Sequence, residues 1–290
     1  MTMTMKVIAV VLYIVLAPLI GGLLEGIDRK IAARMQRRIG PPVLQPFYDV
    51  RKLFSKQVIA VNSAQTFLLM TYFLLMVVTG AMFFSGSDIL LCFFVLSTAA
   101  TFLYFAAVVT SSPYSSIGAS RELLQMVAYE PAVILTCVGF YLASGSFYVE
   151  KIATSDKIYL LRMPGFFLAF VFIMTIKMRK SPFDTATSHH MHQELVKGLT
   201  TEMGAGNLAM FQVTEWYENV FLLGVVALFV LNAQWWSILL AVALIAIVYF
   251  VEILIDNTSA RLKWQQMLKI TWIFTLCTAG VNLLVLMLIK

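Results

Sequence analysis

At 290 residues, 60% of them hydrophobic and only 12% charged, with a mean hydropathy of +0.86, the chain is too apolar for a water-soluble globule and reads as a multi-pass membrane protein. Its net charge of +6 does not single out nucleic acid, because basic loops beside an anionic lipid surface produce the same balance. Cys92, Cys137 and Cys277 each stand alone in an apolar stretch with no C-x-x-C spacing, so an iron–sulfur cluster or thiolate-held nickel or zinc cannot be built from this chain alone.

Apolar stretches of the length needed to cross a hydrocarbon core recur along the sequence. In chain order they run roughly Val7 to Gly26, Ala64 to Phe84, Ile89 to Thr110, Met126 to Ala143, Pro164 to Met178, Val220 to Leu231, Trp235 to Ile255 and Leu268 to Ile289. The predicted fold is therefore an all-α polytopic membrane bundle of about eight transmembrane helices in one domain spanning 1–290, with polar loops at 28–63, 111–125, 179–219 and 256–267. No small-x-small cleavage site precedes the charged flank after the first stretch, so that stretch is expected to be retained as a span. In the first loop, Gly40, Pro41 and Pro42 break the helix continuing from span one. Beyond them Leu44, Phe47, Val50 and Phe54 repeat at helical spacing opposite Asp49, Arg51, Lys52 and Lys56, which predicts a short interfacial amphipathic helix. Its role is simple anchoring or a docking surface.

Basic residues concentrate between spans one and two (Arg29, Lys30, Arg34, Arg37, Arg38, Arg51, Lys52, Lys56), at Arg121, at Lys177, Arg179, Lys180 and Lys197, and at Arg261, Lys263 and Lys269. In an eight-span arrangement these all fall on one side, which the positive-inside rule makes cytoplasmic, with both termini outside. Residues 181 to 218 form a polar island holding all three histidines and five of the fifteen acids. An ionisable group among membrane spans costs from ~2.5 to over 10 kcal/mol, so acids there face a protein interior or a wet cavity and mark function. On a single helix His190, Glu194 and Glu202, spaced by four and eight, would stack along one face, as a proton relay requires. Glu130 falls inside the fourth span, Glu215 and Glu218 form a second acidic pair, and Glu252 lies one turn before Asp256 as two like charges ending span seven. The competing reading is a set of buried salt bridges with Arg121, Lys180 or Lys197. Glu25 and Arg29 are one turn apart and expected to pair, and Gly22 and Gly26 have the spacing of a close helix contact. His189 with His192, or His190 with Glu194, lacks an evident third ligand, so these histidines are expected to face a partner rather than bind metal.

Several motifs are similar to those of a known family. Asp28-Arg29-Lys30, Arg34-Met35-Gln36, Arg38, Gly40-Pro41 and Leu44-Gln45-Pro46 resemble the E-R-K, A-R-M-Q, R-x-G-P and L-Q-P signature of the H-subunit family of NADH-quinone oxidoreductase, or complex I. Gly118, Arg121, Gln125 and Tyr129-Glu130 resemble its G-x-x-R-x-x-x-Q-x-x-x-Y-E stretch, and Pro182-Phe183-Asp184 its P-F-D. Glu194-Leu195-Val196 with Gly198, then Glu202 and Glu215, resemble its later acidic motifs, and Arg261, Lys263, Trp264 and Gln266 its R-x-R-Y-x-Q run. After P-F-D, however, the run from Thr185 to Gln193 is histidine-rich and about three residues longer than the acidic loop of complex I members. The S-H-H-x-H-Q-E-L-V pattern is similar to membrane subunits of energy-converting, Ech-like (group 4) [NiFe] hydrogenases, and together with Asp28 in place of Glu it points away from quinone binding.

The resemblance implies a non-redox membrane subunit that seats a peripheral arm and couples ferredoxin-linked hydrogen chemistry to proton or sodium translocation. It implies no catalytic residue or metal in this chain, with the nickel–iron site and [4Fe-4S] clusters in partners: hydrogenase large and small subunits, a ferredoxin-like cluster subunit and an antiporter-like membrane subunit. The expected ion-relay residues are Glu130, Asp184, Glu194, Glu202, Glu215 and Glu252. The expected partner interface is Asp28, Arg29, Lys30, Arg34, Arg38, Arg121, His189, His190 and His192, on the cytoplasmic face of the inner membrane. The alternatives are a quinone-binding H subunit of complex I type and a stand-alone ion transporter.

Overall fold

A computed structural model describes residues 2–57, 62–183, 186–187 and 197–289. It is an all-helical bundle. The first helix, α1 (Met3–Met35), buries a narrow, mostly small-residue stripe, Tyr13, Ala17, Gly21, Gly22 and Gly26, and exposes Val7, Val11, Val15 and Leu19 on the other side, as a lipid-facing helix should. It stops where Arg37 and Gly40 take positive φ and Pro41 and Pro42 follow. The predicted amphipathic helix is α2 (Gln45–Phe54), opened by Pro46 in its first turn. Its inner side lays Val50 against Ala209 and Trp216, while Tyr48 and Phe54 remain exposed.

The helices α3 (Ser63–Phe84) and α4 (Ile89–Val108) are each started by a side chain that accepts backbone N–H groups, Asn62 and Asp88 respectively. Helix α5 (Pro113–Ser144) begins thirteen residues before the predicted span, so most of the expected 111–125 loop is helix; it ends at Gly145 with φ of 80°. At that end α6 (Val149–Ala153) and α7 (Tyr159–Arg162) are single turns, and an isolated bridge joins Asp88 to Tyr148. Lys6 pairs with Glu150 at 3.0 Å on the same end.

Helix α8 (Pro164–Lys177) has fourteen residues, about 21 Å at 1.5 Å per residue, and is short for a hydrocarbon core of about 30 Å. Helix α9 (Ala205–Leu228) extends the predicted sixth span fifteen residues back into the polar island and buries much of its length between α1 and α3. Helix α10 (Trp236–Thr258) follows, then α11 (Trp264–Thr275), which passes through a π turn at Leu276–Gly280 into α12 (Val281–Ile289). Six of these segments are long and apolar enough to cross a membrane, and α8 and α9 are the two shorter or more polar spans expected beside the island.

The Gly22 and Gly26 pair serves a different contact from the expected helix crossing. A Cβ at Gly22 would strike the Phe47 ring, and one at Gly26 would overlap the Val43 carbonyl. The small stripe of α1 seats α2 and the turn leading into it.

Candidate functional site

The end of α8 and the residues after it deliver three cations within four positions, Lys177, Arg179 and Lys180, into the end of the bundle where α1, α2, α5, α9 and α10 converge. Arg179 takes a positive φ of 52°, which turns the backbone so that Lys177 and Arg179 meet α5 and α9 while Lys180 meets α1. The Arg179 guanidinium grips Glu122 of α5 through two hydrogen bonds of 2.7 and 2.9 Å, and its Nε meets Glu215 of α9 at 2.9 Å. Lys177 Nζ lies 2.5 Å from Glu218 and donates to the Tyr129 hydroxyl at 3.3 Å, and Tyr72 donates to the other Glu218 oxygen at 3.5 Å. Lys180 Nζ reaches Asp28 of α1 at 2.9 Å.

A second chain of charges runs from α2. Asp49 accepts from Arg29 at 2.7 Å, Arg29 holds Glu25 at 2.5 Å, and Trp216 Nε1 donates to Glu25 at 2.5 Å. The expected Glu25–Arg29 pair is therefore formed. Burial opposes the charge on Asp49, but hydrogen bonds from Arg29 and Gln45 outweigh it and hold the carboxyl below its usual range.

These residues surround a cavity of about 290 Å³ lined by Glu25, Asp28, Lys180, Gln212, Glu215 and Glu218. Lys177, Arg179 and Glu218 also border an adjoining crevice of about 10 Å³ that reaches Tyr72, Glu122 and Tyr129, room for about one water. Among the described residues, with Asp256 and Glu252 added, the cluster gathers eight carboxyls and the cations Arg29, Lys177, Arg179 and Lys180.

The sequence-derived residues distribute unevenly. Glu215 lines the cavity, paired with Arg179. Glu252 is 0% exposed, and neither of its oxygens has a hydrogen-bond partner among the described residues. Glu130 sits on the other side of α5, half-buried in a separate cavity of about 160 Å³ with Phe93, Phe94 and Ser97, so it does not join the other acids. The single helical stripe through Glu202 is not formed. Residues Gly198–Thr200 make a 3₁₀ turn after Lys197 in the left-handed region, and Glu202 is exposed rather than buried. Asp28 and Arg29, expected at a partner interface, are instead turned inward by their pairs with Lys180 and with Glu25 and Asp49. Lys30, Arg34 and Arg38 are exposed, and Arg121 is half-buried. Asp184, Glu194, His189, His190 and His192 lie outside the described residues.

Sequence reasoning missed Glu122 and undervalued Lys177 and Arg179. The available signal was three cations directly ending an apolar stretch, which is costly unless acids await them. Among the cations offered as salt-bridge partners for the island, Lys180 does pair, but with Asp28. Cys92 and Cys137 are buried and Cys277 is exposed; no group of three or more His, Cys, Asp or Glu able to hold a metal occurs among the described residues.

Taken together, the helices and their internal ion-pair network define a multi-pass membrane protein built around a charged interior that holds a cavity. A family model described as NADH dehydrogenase matches residues 6–287, and the chain belongs to that family, whose members are parts of oxidoreductase complexes. It is 28% identical over 280 residues to hydrogenase-4 component C of Escherichia coli (strain K12), covering 87% of each chain. It is 24% identical over 312 residues to the H subunit of NADH-quinone oxidoreductase of Aquifex aeolicus (strain VF5), covering 92% of this chain and 90% of that one. The fold is shared, at a TM-score of 0.87 and 22% identity over 97% of this chain and 99% of the other, with a chain from the membrane-bound sulfane sulfur reductase, an archaeal respiratory membrane complex.

Proposed function

We propose that this chain is the integral membrane subunit of an energy-converting [NiFe] hydrogenase, seating a hydrogenase and iron–sulfur arm and coupling ferredoxin-linked hydrogen chemistry to proton or sodium translocation. The observation that carries this reading is the charge network itself. Carboxyls held by Arg29, Lys177, Arg179 and Lys180 surround a cavity at the basic end of the bundle, lined also by Thr187 and Thr200, between which the sequence carries the three histidines, and a docked arm would act on them there. The likeness to hydrogenase-4 component C over most of both chains and the non-acidic run after Pro182-Phe183-Asp184 support the hydrogenase assignment over a quinone-binding one.

The basic end faces the cytoplasm and both termini lie outside, following the excess of Lys and Arg. Lys30, Arg34 and Arg38 meet the arm, together with Arg121 and the histidines at 189, 190 and 192. Nickel, iron and clusters belong to the hydrogenase large and small subunits and a ferredoxin-like subunit, and an antiporter-like subunit continues the membrane part.

The coupling follows from shared counter-ions. A proton reaching Glu215 neutralises it, leaving Arg179 to Glu122 alone. Its loss restores the three-way arrangement. Lys177 and Glu218, across the one-water crevice, carry the change inward. Glu202 stands at the entrance and Glu130 on the α4 side as an exit, and Asp184 and Glu194, outside the described residues, belong to the same relay.

The test is purification of the intact complex. Nickel content and hydrogen evolution from reduced ferredoxin, with ion uptake in inverted vesicles, are the expected results. Quinone reduction without nickel would replace this reading with the complex I one, and isolation as a lone chain with transport activity would overturn both.

A further inference from the structure

Glu252 stands apart from the coupled pairs because nothing among the described residues satisfies it. It projects from α10, wholly buried, and neither carboxyl oxygen has a hydrogen-bond partner among those residues. An ionised carboxylate in that position would be an uncompensated buried charge, which proteins avoid by protonation or by bringing a cation. Tyr249, three residues before it, and Asp256, four after it, lie on the same helical face, and both line the large cavity. The charges that act on Glu252 are those of Lys180 and Asp256. Asp256 is already engaged as acceptor of the Ser181 N–H at 2.8 Å. Lys180, 6% exposed, sits 5.0 Å from the centre of the Tyr249 ring, beside the face that carries Glu252, with its Nζ on Asp28. Glu25 of α1 lies beyond Asp28, while Glu215 and Glu218 of α9 are held by Arg179 and Lys177.

We propose that Glu252 is a sealed proton-binding site and that Lys180 is its movable counter-ion, shared with Asp28. Two states alternate. With a proton on Glu252, Lys180 stays on Asp28. When that proton leaves toward the cavity that Tyr249 and Asp256 line, the ammonium turns along the Tyr249 ring to Glu252, and Asp28 takes up a proton in its place. One proton is bound in each state, so the site passes a proton between α10 and α1 without creating an unpaired charge. The hand on this switch is the segment that carries Lys180. It is fixed at three points, by Ser181 N–H on Asp256, by the Pro182 carbonyl accepting from Leu262 N–H, and by the Phe183 carbonyl accepting from Gln125 Nε2. That segment leads directly into residues 184–196, so a protein docked at the basic end acts on Lys180 through the chain itself. This deepens the coupling reading and rests on it for its purpose, while its chemistry stands on the cluster alone.

Infrared difference spectroscopy of the intact purified complex in lipid, titrated with acid and base, tests the site. A protonated-carboxyl band is expected in the wild type and is lost in Glu252→Gln. In Lys180→Met that band persists to higher pH and a second carboxyl band, from Asp28, joins it, whereas Lys180→Arg keeps the wild-type titration. An unchanged spectrum in Glu252→Gln overturns the proposal, as does an unchanged titration in Lys180→Met or a band that titrates with sodium rather than with pH. If Glu252→Gln fails to assemble, the Lys180→Met titration decides alone. Nickel content and hydrogen evolution, which test the identity of the complex, are read separately and do not enter this outcome.

Discussion

Arg179 is the side chain on which the internal charges converge, because one planar guanidinium satisfies Glu122 in bidentate fashion and still offers Nε to Glu215. Removing it strands two carboxylates in a poorly solvated interior. Arg179→Met is expected to destabilise the protein by about 3–5 kcal/mol, read as a lowered thermal midpoint of the detergent-purified protein, and Arg179→Lys to recover only part of the loss because an ammonium cannot reproduce the fork. Asp49 gives a pH prediction of definite sign. Its folded-state carboxyl titrates below the usual value of about 3.9, so the stabilisation of α2 is present above that value and is lost as pH falls through the lower folded one. Protection of α2 amides against hydrogen exchange should fall on acidification through that window, and Arg29→Gln should remove the pH dependence.

Helix α1 illustrates what an element gains from small residues. Its glycine stripe lets the Val43 carbonyl and the Phe47 ring close against the backbone, which places α2 over Trp216 and brings Asp49 to Arg29. Gly26→Ala is expected to push the 40–43 turn outward and destabilise the protein by about 1–3 kcal/mol in thermal unfolding. Gly206→Ala, where an added Cβ meets nothing within 4 Å, is the control and should be neutral or slightly stabilising. Helix α9 shows the limit of hydropathy. Its first turns are polar enough to read as loop, yet they fold as helix because Glu215 and Glu218 meet Arg179 and Lys177, just after and at the end of α8, and Trp216 packs against Phe47.

For the whole molecule, the buried ion pairs gather at one end of the bundle while Lys6 and Glu150 pair at the other, and the cavities differ in size. A cavity of about 290 Å³ narrows to a one-water crevice, and Glu130 lies across α5 in its own cavity. Glu130→Gln is expected to leave an assembled complex with weakened ion translocation, measured as dye quenching in inverted vesicles. Glu202→Gln, at an exposed position, should change stability by less than about 0.5 kcal/mol and weaken translocation less than Glu130→Gln does.

Composition and apolar periodicity were enough to determine an all-helical membrane bundle, the short amphipathic helix after Pro41 and Pro42, and the basic bias of one end, because these depend on each segment's own transfer free energy. The motif pattern was likewise readable as a family signature, borne out by the match over residues 6–287. Which acids face one another was decided only by the packed helices. The positive φ at Arg179 directs Lys177 and Arg179 to α5 and α9 and Lys180 to α1, and the rotation of α5 turns Glu122, which fell in an expected polar loop, inward and Glu130, which fell inside an expected span, away. A buried charge is stabilised by neighbours distant in the chain, and no local spacing rule names them.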